Sequence, residues 1–126
     1  MDLQINGKSA IVCASSKGLG KACALALAKE GVNVVISART PDTLSAAAEE
    51  IRAAGSGTVS SIVADVTTEE GREALLAACP APDILVNNAG GPPPGDFRDW
   101  RQQDWFDAVN ANMFSAIDMI RHCLDG

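Results

Sequence analysis

Cys13-Ala14-Ser15-Ser16-Lys17-Gly18-Leu19-Gly20 is the stretch on which the fold turns. It ends a short apolar run, Ser9 to Ala14, which predicts a buried strand. It opens a segment rich in Ala and Leu, Leu19 to Glu30, which stops at Gly31 and predicts a helix. The octapeptide is therefore the hand-over from a strand to a helix. A phosphate placed there meets free backbone N–H groups and the positive end of the helix dipole. Gly18 lets the backbone approach a pyrophosphate closely, and Gly20 lets the helix pack tightly on the strand. A glycine-rich turn alone can be a mere tight connection; the strand before it and the helix after it give it meaning.

Working outward, the pattern repeats. Val32 to Ser37 is β-branched and apolar, a second buried strand. Thr40-Pro41 offers an N-cap and a first-turn proline for a helix running to about residue 54 and stopping at Gly55. Thr58 to Ala64 predicts a third strand, and Thr67 and Glu70 have capping-box spacing for a third helix to about residue 78. Pro80 and Pro82 break that helix. Ile84-Leu85-Val86 predicts a fourth strand, followed by a Pro/Gly loop from Gly91 to Gly95 and one long helix over about residues 103–124. Continuous apolar strands alternating with helices mean a parallel sheet covered on both faces. The predicted class is α/β, a doubly wound parallel sheet in strand order 3-2-1-4, truncated after the fourth strand and its helix.

Composition narrows the function. With 126 residues, 47% of them hydrophobic, the chain makes a single domain with a modest core. A net charge of −6 argues against nucleic acid or an anionic membrane surface as partner. Cys13, Cys23, Cys79 and Cys123 show no C-x-x-C spacing, and only His122 could join them, so no metal site is expected. They read as four buried thiols in a reducing compartment. Neither a secretory n-region nor an apolar run of spanning length is present, and a soluble cytoplasmic protein is the expectation.

The glycine turn resembles the T-G-x-x-x-G-x-G motif of the short-chain dehydrogenase/reductase family. Gly18 and Gly20 stand at its last two glycines, Cys13 at the Thr and Ala14 at the first Gly, so the turn must accommodate a Cβ there. Asp65-Val66 resembles the pair whose acid and backbone hold adenine. Asn87-Asn88-Ala89-Gly90 matches the family's N-N-A-G tetrapeptide without change. Asn112, in the context Ala111-Asn112-Met113, aligns with the asparagine of the family's catalytic tetrad, with Asn110 a rival for that place. The resemblance covers essentially the whole chain. It implies a Rossmann-type domain that binds its cofactor through Ala14, Ser15, Ser16, Lys17, Gly18, Leu19, Gly20, Arg39, Asp65, Val66, Asn88, Ala89 and Gly90. Asn112 is then the implied catalytic residue.

The end of the second strand indicates which dinucleotide. An acid there would repel a 2′-phosphate; this chain has Ala38 and then Arg39, whose fork suits a phosphate, with Lys17 reaching it from the glycine turn. NADP is the implied cofactor, and a small-molecule carbonyl or alcohol, a 3-oxoacyl thioester among them, the implied substrate. In the family a tyrosine, its pKa lowered by a nearby lysine, moves the proton. Tyrosine count here is zero, so no Y-x-x-x-K motif exists in these residues. His122, near the end of the last helix, is a poor substitute. The expectation is thus the N-terminal, cofactor-binding half of a longer reductase, residues 1–126, inactive alone and a homo-oligomer in full-length form. The alternative is a non-enzymatic NADP-binding protein that pairs its open Ile84-Leu85-Val86 edge with another chain. A sugar-nucleotide epimerase or dehydratase fits the glycine spacing worse. The stiff loop 91–95 is expected to border the ligand crevice, and Trp100, Trp105 and Phe106 to pack the start of the last helix or an oligomer contact.

Overall fold

A computed structural model describes residues 1–125. Four parallel strands form one sheet: β1 (Ser9–Val12), β2 (Asn33–Ala38), β3 (Val59–Val63) and β4 (Ile84–Val86), in the order β3-β2-β1-β4. Ala10 lies opposite Val34 on one side and Ile84 on the other, so β1 lies between β2 and β4. Helices α1 (Gly18–Lys29), α2 (Pro41–Ala54) and α3 (Glu69–Ala78) provide the crossovers. After β4 come a short 3-10 turn (Phe97–Asp99), α4 (Gln102–Val109), a π-helical segment (Asn110–Phe114) and α5 (Ser115–Cys123).

Alternation along the strands divides the core into two layers. Ala10, Val12, Val34 and Ile36 pack with Ala24 and Ala28 of α1 and Leu44, Ala48 and Ile51 of α2. Ile11, Cys13 and Val35 pack on the other face with Leu75 of α3 and Met119 of α5. Each buried Val, Leu, Ile or Met among them, withdrawn from water, contributes about 1.5–3 kcal/mol, and each alanine less. The inner strands β1 and β2 are covered on both faces because each is apolar at consecutive positions, whereas Ser60 and Ser61 of the edge strand β3 are exposed.

The structure differs from the sequence expectations in detail. The N-cap of α3 is Thr68, not Thr67: its hydroxyl accepts from the Gly71 N–H at 3.1 Å, while Thr67 turns its hydroxyl to Asp65. Thr40 stands at the N-cap of α2 without a side-chain cap bond. The long last helix is interrupted at Asn110, where the Ser115 N–H reaches back five residues to the Asn110 carbonyl. The four thiols are not all buried: Cys13 and Cys79 are, Cys123 is half-buried and Cys23 is exposed on α1. Trp100 and Trp105 meet edge to face at 5.2 Å, but Phe106 points into solvent, 59% exposed. No helix among the described residues is long and apolar enough to cross a membrane.

Candidate functional site

The strand-to-helix turn is built by the sheet beneath it. The Ser15 N–H donates to the Ser37 carbonyl at 2.8 Å, its hydroxyl donates to the Val12 carbonyl at 2.7 Å, and that hydroxyl accepts from the Ser37 N–H at 3.0 Å. Ser37 in turn accepts from the Ala14 N–H through its hydroxyl. These bonds bind the turn to the end of β2, so Ser15 is fully buried and shapes the turn rather than facing outward. From the other side, the Asn88 side-chain amide donates to the Ala14 carbonyl at 3.0 Å and fastens the end of β4 to the same turn.

Gly20 lies inside this knot. A Cβ on it would stand 2.4 Å from the Ala14 carbonyl oxygen and 2.9 Å from the Asn88 amide nitrogen, so the helix comes this close only because glycine has none. Gly18 takes φ +59 and leaves nothing within 4 Å of its missing Cβ. It faces open space at the mouth of α1, where backbone N–H groups and helix dipole suit an anion.

That space is a cavity of about 950 Å³ along the carboxyl ends of the strands. Its walls bring together most of the residues singled out in the sequence. Ala14, Ser16, Lys17, Gly18 and Leu19 come from the turn, Arg39 from the end of β2 and Asp65 and Val66 from the end of β3. Asn88, Ala89 and Gly90 follow β4, and Asn112 comes from the π segment. Lys17 and Arg39 are exposed and paired with no carboxylate among the described residues. Ser15 and Gly20 support the turn from behind. Pro92 and Pro93 do line the cavity, so part of the stiff loop is a wall.

The two asparagines of the last helix separate in role. The Asn110 amide donates to the Thr67 carbonyl at 3.0 Å. The Asn112 amide donates to the Ala108 carbonyl of its own helix at 2.9 Å, and Asn112 also borders a neighbouring cavity of about 230 Å³. The structure adds wall residues that sequence reading missed, Thr43 of α2 and Asp104 and Asp107 of α4. Thr43 lies three positions after the singled-out Thr40, and that helical spacing was the available signal. His122 lies outside the cavity, with Nδ1 2.8 Å from the Asp118 carbonyl. Burial pushes the Cys13 thiol up to about 11, so it is an inert core group. Among the described residues, no group of three or more His, Cys, Asp or Glu is placed to hold a metal ion.

A parallel sheet in the order 3-2-1-4, with a glycine turn and a crevice at its carboxyl edge, is a doubly wound α/β architecture, in which ligands bind at that edge. The family model described as short chain dehydrogenase matches residues 8–126, and the chain belongs to that family. It is 32% identical over 121 residues to the 3-oxoacyl-acyl-carrier-protein reductase FabG of Staphylococcus epidermidis, covering 90% of this chain and 48% of that protein. L-sorbose reductase from Gluconobacter frateurii, solved with NADPH and L-sorbose, superposes with a TM-score of 0.92 at 32% identity over 99% of this chain and 49% of that one. A 7 alpha-hydroxysteroid dehydrogenase solved with NADH and 7-oxo glycochenodeoxycholic acid gives a TM-score of 0.88 at 31% identity, over 98% and 49%. The chain spans about half the length of the relatives it matches. The chain has a Rossmann-like fold, and the relatives it matches include oxidoreductases.

Proposed function

We propose that this chain is the cofactor-binding half of an NADP-dependent reductase acting on a small carbonyl or alcohol substrate. The observation that carries the choice of NADP is the pairing of Arg39 and Lys17 around one cavity. Both are without carboxylate partners among the described residues, and no acid stands at the end of β2. The residue matters because the fold does not decide: one similar structure holds NADPH and another NADH. The empty space at Gly18 and the cradle closed by Gly20 fit a pyrophosphate; a cavity of about 950 Å³ suits a ligand of dinucleotide size.

In this reading the Gly18 turn holds the pyrophosphate, Arg39 and Lys17 the 2′-phosphate, and Asp65 and Val66 the adenine. Ser16, Leu19, Asn88, Ala89 and Gly90 complete the groove. Bound NADP(H) supplies or accepts the hydride. Asn112 holds a water on the proton path, as the family resemblance implies. The proton donor itself is absent from these residues, since there is no tyrosine. The 126-residue chain alone is therefore inactive, and its proton donor lies outside it. A 3-oxoacyl thioester is the favoured substrate class, supported by the likeness to FabG.

Titration of the purified chain with NADPH and NADH tests the reading. NADPH should bind about tenfold or more tightly. Arg39→Asp should reverse that order. Equal affinities for the two, or an unchanged ratio in the variant, would overturn the NADP assignment. Measurable NADPH-dependent ketone reduction by this chain would overturn its inactivity.

A further inference from the structure

We propose that Asn110 and Arg72 are positioning residues for the adenine end of the cofactor: they hold two consecutive backbone carbonyls after β3 and thereby fix the Asp65 carboxylate at the cavity wall. The proposal rests on the cofactor reading above and goes beyond it.

The turn from Asp65 to Thr68 leaves the sheet with irregular backbone, and each polar group in it needs a partner. Some are satisfied locally. Asp65 Oδ1 accepts from the Thr67 N–H at 2.9 Å and the Thr67 hydroxyl at 2.7 Å. The Asp65 carbonyl accepts from the Thr68 N–H at 3.0 Å and the Thr68 hydroxyl at 2.8 Å. Gly71 sits over that carbonyl, where a Cβ would come within 1.9 Å. One carboxylate oxygen of Asp65 is thus committed inside the turn, and the other is left for a donor arriving from the cavity.

The next two carbonyls are held from outside the turn. Arg72 Nη1 donates to the Val66 carbonyl at 3.0 Å, and the Asn110 amide donates to the Thr67 carbonyl at 3.0 Å. Arg72 is anchored in its turn, with Nε donating to Asp118 Oδ2 of α5 at 2.8 Å and its side chain only 13% exposed. Asn110 begins the π segment that carries Asn112 two residues later. Side chains from α3 and from the last helix therefore converge on the same short turn. Without them the turn keeps its Asx-type bonds but can tilt, and Asp65 moves with it.

A fixed carboxylate acceptor discriminates between bases. It favours a ligand that presents an amino group and disfavours one that presents a carbonyl oxygen at the same place. The probes are NADPH and its hypoxanthine analogue, in which the 6-amino group is replaced by oxygen. The chain should prefer NADPH over the analogue by about tenfold. Asn110→Ala and Arg72→Gln should each reduce that ratio to about threefold or less, because NADPH weakens while the analogue does not. A structural role alone would weaken both dinucleotides together, and that outcome, like an unchanged ratio, overturns the proposal. Thermal unfolding of each variant is read alongside. If Asn110→Ala does not fold, Arg72→Gln and the milder Asn110→Ser read the same turn. A wild-type chain that binds NADPH without preferring it overturns this inference and leaves the cofactor reading standing. Failure to bind NADPH or NADH at all would overturn both.

Discussion

Ala14 holds a left-handed backbone, φ 47, at the place where the resembled motif has glycine. The backbone that carries this Cβ is therefore strained, since an L-residue in this region costs roughly 1–2 kcal/mol. Its N–H and carbonyl are nevertheless both used, by the Ser37 hydroxyl and the Asn88 amide, and these bonds hold the strained residue in place. Ala14→Gly should relieve the strain while adding some freedom to the unfolded chain, for a net gain of about 0.5–1 kcal/mol. Thermal unfolding should rise by about 2–5 °C. A variant that melts at or below the parent would mean that the surrounding bonds favour alanine. At this scale the sequence showed which residue types would meet, because Gly18, Arg39, Asp65 and Asn88 each carry a chemistry that their place on a strand end makes legible. It did not show which of two adjacent hydroxyls faces the cavity, nor which of two nearby asparagines is tied to the turn after β3. The Ser15 hydroxyl accepts from the Ser37 N–H and the Asn110 amide donates to the Thr67 carbonyl, both segments remote in sequence, and no local pattern records such a bond.

α3 and α5 meet through Asp118, which accepts from Arg72 and from Arg121, with His122 Nδ1 3.6 Å away. The Arg72 hydrogen bond, above all, holds the Asp118 carboxyl below the usual carboxylate range. A carboxylate whose folded pKa is depressed stabilises the fold above its unfolded value, near ~4, and that stability is lost as pH falls through the folded value. Asp118→Asn should therefore cost up to about 1 kcal/mol at pH 7, the discounted worth of a partly exposed pair. The difference from the parent should shrink as pH falls below about 4. Urea unfolding of both proteins at neutral and acid pH measures it; a difference that is constant with pH would remove the charge from the explanation. Element by element, β1, β2 and β4 were readable as compact apolar runs, and β3, interrupted by Ser60 and Ser61, by its place in the α/β alternation. Their ends were less so: Cys13 and Ala14 are as apolar as Val12, yet the left-handed turn at Ala14 takes them out of β1. The π interruption at Asn110–Phe114 left no trace in the sequence, since one extra residue per turn disturbs neither composition nor the apolar content of the helix.

The whole molecule presents apolar surface along one helical line. Phe106, Val109, Met113, Ile117, Ile120 and Leu124 recur every three or four residues on α4, the π segment and α5 and beyond, and all are exposed, from 38% to 75%. A stripe this regular is the pattern of a helix with a partner. A second unpaired feature is β4, an edge strand bonded, among the described residues, only to β1. Either could mediate the homo-oligomer expected of the full-length form, and they respond to different changes. Ile117→Lys with Ile120→Lys places two charges in the stripe without touching the sheet or the cavity. Because both positions are exposed, thermal stability should change by no more than about 0.5 kcal/mol each, and NADPH affinity should stay the same. If the stripe is the interface, light scattering on the eluting protein should show the parent self-associated and the double variant monomeric. Association that survives the two lysines would place the contact at the β4 edge, where strand pairing is indifferent to side chains on the last helix.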